Sequence, residues 1–286
     1  MSTIQVEILC IALLTAITCV IPGVFLVLRG MAMMSDAISH ALLLGIAGMF
    51  LWVRSLESPL LFVGASLVGI LTVVCTEGII ASGRLKKDAA ISLVFPLFFS
   101  IGVILISWYA RNVHLDADMV LLGELAFTPF NRLMISGYDM GPSALWTMGF
   151  VLLCNTVTVL VFYKELVLTT FDATLACMSG FYPVFFYYFL MIVTSVTAVA
   201  AFDVVGSVMV VALMITPPAT AYLITRSVGQ MIVWSVVFAG SAVIGGYMFA
   251  VCADVSIAGS IVTMTGVLFL GCLISRFAKT RIALFQ

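Results

Sequence analysis

From Ile8 to Leu28 the chain carries no charged residue, and apolar stretches of this kind recur along most of its length. About 20 apolar residues span a bilayer core, and in hydrocarbon a lone segment satisfies its backbone only as a helix. Runs long enough to cross lie at 4–28, 31–52, 59–81, 89–109, 144–163, 183–201, 204–224, 231–250 and 257–275. That makes nine spans, or eight if one pair is a broken or re-entrant segment. The fold class expected is therefore an all-α polytopic membrane protein, a single transmembrane domain over residues 1–286. Composition agrees: 64% of residues are hydrophobic and 9% charged, against about 25% charged in soluble domains. No solvated domain of any size fits beside the spans. The net charge of -1, with no basic cluster larger than Arg84, Lys86 and Lys87, gives no footprint for nucleic acid.

The opening MSTIQVEILC lacks a basic leader and contains Glu7, so the first segment is expected to stay in place. The seven cysteines show no C-x-x-C spacing and sit mostly in apolar runs, which suits small buried side chains better than disulfides or a thiolate metal site.

Basic residues favour cytoplasmic loops. With nine spans and the C-terminus inside, Arg29, Arg84, Lys86, Lys87, Lys164, Arg226, Arg276, Lys279 and Arg281 all face the cytoplasm, leaving Arg54, Arg111 and Arg132 outside. The N-terminus is then external; an eight-span chain would place it inside. Two connecting segments are long. Residues 110–143, with His114, Asp116, Asp118 and Glu124, are expected at the outer surface or dipping partly into the membrane, with the acids and histidine solvated. Residues 164–182, KELVLTTFDATLACMSGFY, read as one short inner helix, capped by Thr170 or Asp172 and ended by Gly180 before Pro183.

The feature that composition does not account for is SDAISH, residues 35–40. Residues four apart share a helix face, so Asp36 and His40 can address one target. If the span starts near Met31, His40 lies about 13–14 Å along the axis, approaching the midplane. An acid at helix centre costs about 2.5–3.5 kcal/mol to insert, so such a pair calls for a function. A carboxylate with an imidazole suits Mn, Fe or Zn, and two such pairs from facing subunits would give four ligands. The same spacing also allows a structural Asp–His hydrogen bond or a buried proton relay.

Beyond the pair, FLVLRGMAMMSDAISHALLLGIAG (Phe25–Gly48) resembles the second-helix signature of the ABC-3 family, the membrane permeases of manganese, zinc and iron ABC importers. RLKKDAAISLVFPLFFSIGVILIS, NVHLDADMVLLGELAF, YKELVLTTFDATLACMSG, VVGSVMVVALMITPPATAYLIT and SIAGSIVTMTGVLFL look like that family in the same order, so the resemblance covers essentially the whole chain. It implies the fold of type II ABC importer permeases. It also implies Asp36 and His40 as transient ligands of the transported Mn, Zn or Fe, and a cytoplasmic loop that docks an ATPase through Phe171, Asp172, Ala176 and Gly180. The partners implied are a second permease subunit, identical or paralogous, a cytoplasmic ABC ATPase dimer and an extracytoplasmic metal-binding protein, at a bacterial inner membrane. The chain departs from the pattern at Leu44 and Ala173, where prolines are common.

No G-x-x-x-x-G-K-[ST] phosphate loop occurs, so ATP is expected on a separate subunit and this chain is expected to be a transport component rather than an enzyme. No H-E-x-x-H occurs either, and Ser35 and Ser39 lack a triad context. The competing transport reading is a proton-coupled secondary carrier using Asp36 and His40 as the relay; inverted repeats typical of such folds are not evident. Pro217 and Pro218 are expected to interrupt and kink their span, with Thr216 and Thr220 beside them, either lining the pathway or serving packing. Gly206, Gly245 and Gly246 are expected to permit close helix contact. Glu77 is expected to snorkel or meet Arg84, and Met31, Met33 and Met34 to form a thioether patch used in packing.

Overall fold

The structure, a computed structural model, describes residues 3–53, 58, 60–109, 125, 128–135 and 138–284. In chain order the elements are α1 (Thr3–Leu28), α2 (Ala32–Val53), α3 (Leu60–Ala81) and α4 (Lys87–Tyr109). A 3-10 turn (Thr128–Phe130), β1 (Arg132–Ile135) and β2 (Tyr138–Pro142) follow, then α5 (Ser143–Val161), α6 (Tyr163–Phe171), α7 (Ala173–Met178), α8 (Pro183–Val205), α9 (Ser207–Ile224), α10 (Val228–Ala253) and α11 (Ile257–Leu284). Among the described residues nine helices are long and apolar enough to cross a membrane, all but α6 and α7. The nine expected spans match them one for one.

The helices are apolar all round, as hydrocarbon demands, so packing is decided by where small residues let backbones approach. α1 is the central post: 72% of its apolar window is buried, against 17% for α11 at the periphery. It packs on α9, α10, α5 and α8, while α2, α3 and α4 form a second group joined to the first through α8 and α9. Gly23 sets the α1–α9 spacing, because a Cβ there would overlap the Met214 carbonyl oxygen. Gly246 does the same for α10 and α11, a Cβ there lying 2.6 Å from Cα of Ile261, as the sequence reading expects. Gly206 does something else. Its φ of +78° makes it the single residue between α8 and α9, a joint that a side chain would strain. The outward sides of α3, α4 and α5 expose Leu67, Leu71, Leu97, Ile104, Phe150 and Leu160, side chains suited to lipid.

Six buried threonine hydroxyls are satisfied locally. Thr15, Thr18, Thr72, Thr76, Thr194 and Thr220 each donate to the carbonyl four residues back. A cross-helix amide is Asn155 on α5, whose Nδ2 donates to the Thr18 carbonyl at 3.2 Å and to Thr197 Oγ1 at 2.9 Å, tying α5, α1 and α8 together.

The two ends of the bundle differ. At one end Arg132, at the start of β1, pairs with Glu7 of α1 at 3.2 Å. The hairpin pairs Ile135 with Tyr138 and Met134 with Asp139, with an irregularity towards Arg132↔Pro142. It is therefore a two-stranded ribbon within the segment expected at the outer surface or dipping partly into the membrane; His114, Asp116, Asp118 and Glu124 lie outside the described residues. At the other end Phe162 and Phe181 pack edge-on to Phe186, and Tyr163 lies against Gly229, which gathers the end of α5 and the starts of α8 and α10. Arg29, Lys164 and Arg226 lie on this side, the basic face.

Candidate functional site

The site begins at the turn between α1 and α2. Met31 N–H donates to the Leu26 carbonyl at 2.9 Å and Gly30 N–H to the Val27 carbonyl at 3.1 Å, with Gly30 at φ +65°. This is the paired closure of a Schellman motif, and its usual hydrophobic contact is available from the buried Leu26 and Met31. α2 starts immediately afterwards, at Ala32. With a rise of 1.5 Å per residue, Asp36 stands about 6 Å and His40 about 12 Å from that start.

Asp36 Oδ1 and His40 Nε2 are 3.3 Å apart, so the expected i,i+4 pairing forms. The two side chains are 33% and 28% exposed, neither sealed in the core nor free of it. Across from them α4 supplies two rings: Phe99 meets the imidazole edge-on at 5.9 Å, and Phe95 lies tilted at 5.7 Å. The pair therefore has one side walled by aromatic carbon and another open. Among the described residues no group of three His, Cys, Asp or Glu comes together. The pair alone therefore offers two donors, one oxygen and one nitrogen.

Glycines hold α2 in place just past His40. A Cβ on Gly45 would lie 2.6 Å from Cα of Ala65 on α3, and a Cβ on Gly102 of α4 would lie 2.8 Å from the backbone nitrogen of Leu44. Leu44, where the family pattern commonly has proline, leaves α2 continuous to Val53. Ser35 is fully buried and donates to Met214 Sδ at 3.0 Å, which fastens α2 to α9; its hydroxyl does not engage His40.

Pro217 and Pro218 do not break their helix: α9 runs unbroken from Ser207 to Ile224 with both prolines buried inside it. Pro218 has no N–H for the Met214 carbonyl four residues earlier. That oxygen instead faces Gly23 of α1, so the gap in the ladder is filled by a close helix approach.

The inner connection is two helices rather than the expected one. α6 ends at Phe171, and Asp172 starts α7, its Oδ1 accepting from Leu175 N–H at 2.9 Å. Asp172 is thus the cap, and Thr170 is not, because it lies inside α6. Gly180, at φ +83°, follows the end of α7. Of the four residues assigned to ATPase docking, Phe171 offers an exposed side chain, Asp172 and Gly180 shape the loop, and Ala176 is fully buried. Met178 and Tyr182, exposed at 81% and 78%, enlarge the apolar surface beside Phe171.

A cluster that the sequence did not reveal joins this loop to the site helix. Arg29 Nε and Nη2 donate to Thr170 Oγ1 and Thr169 Oγ1, both at 3.1 Å. Its guanidinium carbon lies 5.6 Å from the centroid of the Tyr187 ring. Burial pulls the Arg29 pKa below its ordinary value, with Tyr187 acting in the opposite sense; the group stays a cation. The Tyr187 hydroxyl donates to Glu77 and also lies 3.4 Å from Met31 Sδ. Glu77 thus meets Tyr187 of α8 where Arg84 was expected. Met31 and Met34 are buried while Met33 is half exposed, so the three thioethers do not form one patch. The only hint in the sequence was Arg29 itself, a charge between two apolar runs.

The family model described as the ABC 3 transport family matches residues 1–276. The chain is 44% identical over 256 residues to the manganese transport system membrane protein MntD of Bacillus subtilis, covering 90% of this chain and 86% of that protein. It is 47% identical over 263 residues to the zinc transport system membrane protein TroD of Treponema pallidum, covering 92% and 71%. Among solved structures, PsaBC from Streptococcus pneumoniae in complex with Fab superposes with a TM-score of 0.77 at 29% identity, covering 95% of this chain and 91% of the other.

Proposed function

The chain belongs to the ABC 3 transport family, and from that premise we propose that it is the permease subunit of an ATP-driven importer in which Asp36 and His40 pass a divalent Mn, Zn or Fe ion across the membrane. The observation that carries this reading is the open carboxylate–imidazole pair, 3.3 Å apart on a membrane helix, with no third ligand of its own among the described residues. Oxygen and nitrogen donors together suit borderline divalent ions, and the lack of thiolates favours passage over tight retention. A second permease subunit, identical or paralogous, set against the open side of the pair would bring the ligand number to four. Such a site forms and opens as the two halves move.

Energy comes from an ABC ATPase dimer on the cytoplasmic side, because no phosphate loop occurs in this sequence. The exposed Phe171, Met178 and Tyr182 around the Asp172-capped helix support docking there. A metal-binding protein outside the cell delivers the ion to the opposite face. The basic face then lies in the bacterial cytoplasm, consistent with nine of the twelve Lys and Arg being placed on that side.

The test is elemental analysis of Mn, Zn and Fe in cells carrying the native chain, Asp36→Ala or His40→Ala at equal membrane abundance. Loss of accumulation of the same metal in both variants is expected and identifies the ion. Undiminished accumulation of all three overturns the ligand assignment. Accumulation that follows a pH gradient and persists without any ATPase would establish the proton-relay alternative.

A further inference from the structure

We propose that Arg29 is a positioning residue that carries movement of the α6–α7 loop to the helix bearing Asp36 and His40. The inference rests on the functional reading above and adds the physical link between its two halves. Arg29 belongs to neither α1 nor α2 but to the turn between them. One end of the side chain's reach is the last turn of α6, directly before the capped docking helix, through Thr169 and Thr170. The other end is a turn with no slack: the paired bonds from Gly30 and Met31 back to Val27 and Leu26 close it, and α2 begins one residue past Met31. A shift of α6 is therefore handed to the start of α2 at Ala32, four residues before Asp36.

The quality of the clasp separates a moving part from a static anchor. Among the described residues Arg29 makes no ion pair, although it is largely buried. It is held by two neutral hydroxyls and one aromatic face. Both hydroxyls already donate to the Leu166 carbonyl, at 3.3 Å for Thr169 and 2.6 Å for Thr170, so only their lone pairs remain for Arg29. Neutral acceptors hold a guanidinium less firmly than a carboxylate does. The nearest acid in the cluster, Glu77, is occupied by the Tyr187 hydroxyl, and Tyr187 stands between the two charges. α8 and α3 thus brace the clasp from behind without locking it.

The experiment uses the whole transporter, with its ATPase and delivery protein, in proteoliposomes, and reads ATP hydrolysis and uptake of Mn²⁺ or Zn²⁺, whichever the native assembly accumulates, in the same vesicles. Arg29→Gln is expected to keep hydrolysis within about twofold while ions moved per ATP fall about tenfold, the size of an ordinary coupling effect. The double variant Thr169→Val/Thr170→Val, which leaves Arg29 in place, is expected to show the same fall. Combining all three changes should add little, since they remove one interaction. Arg29→Lys, which keeps the charge and can reach one hydroxyl, should fall in between. Uptake and hydrolysis declining together in the threonine variant, an unchanged ratio, or multiplying effects in the combined variant would each overturn the proposal. A native assembly that moves neither metal on ATP overturns the functional reading itself, a result distinguishable from all of these.

Discussion

Two polar clusters lie within a few residues of each other, one on α2 and one at its foot, and they are built on opposite plans. Asp36 and His40 have each other and an aromatic wall, and are otherwise open. Arg29, Thr169, Thr170, Tyr187 and Glu77 are interlinked, so that the donors and acceptors described for each have partners within the cluster or its own helix. In a bilayer an ionisable group is costly in either arrangement. A group whose bonds are fully used up holds shape, whereas one with bonding capacity left over can take and release a ligand. On the proposed reading, the first cluster does the transport chemistry and the second the mechanical work.

The comparison is sharpened most by separating uptake from stability. Asp36→Ala and His40→Ala should each lower metal uptake about 100-fold or more, beyond what loss of an outer-shell contact costs, yet leave the melting temperature of the detergent-solubilised chain nearly unchanged. A large drop in melting temperature would break the contrast and return the pair to a structural role. Arg29→Met should differ by costing stability as well as coupling, about 2 kcal/mol as two charge-assisted hydrogen bonds vanish, measured by thermal unfolding in the same detergent. Gly102→Ala tests the scaffold shared by both clusters: a Cβ 2.8 Å from the Leu44 nitrogen must push α4 off α2, for about 1–2 kcal/mol and a parallel loss of uptake. The smallest effect is expected at the far end of the molecule. Glu7→Gln removes a partly exposed pair with Arg132 and should change stability by less than about 1 kcal/mol, with uptake unaltered.

The spans were legible because a hydrocarbon environment leaves the sequence few choices; most boundaries fall within three residues of those read from hydropathy, the exceptions being α8, which runs four residues further to Val205, and α11, whose helix continues nine residues past the expected span to Leu284. Asp36 and His40 were legible because their relation is local, one helical turn apart. The partner of Glu77 was not, since 110 residues separate it from Tyr187 and only the packing of α3 on α8 brings them together. Thr169 and Thr170 look like ordinary helix threonines until Arg29 arrives from the turn between α1 and α2. The proline pair misled for a different reason. The rule that proline breaks helices assumes that the lost bond has no substitute, and at Met214 the backbone of α1 comes close enough to cover the freed carbonyl. Gly206 misled because small residues serve both close contacts and unusual backbone angles, and the sequence alone does not distinguish them.

Gly206 also has a bearing on how the protein is made. The start of α8 and the end of α9 lie on the basic face, so the chain reverses at that one residue with no hydrophilic loop between the two helices. A joint of one residue favours entry of the two helices into the bilayer as a hairpin, flanked by Lys164 before them and Arg226 after them, cations of the kind that bias direction.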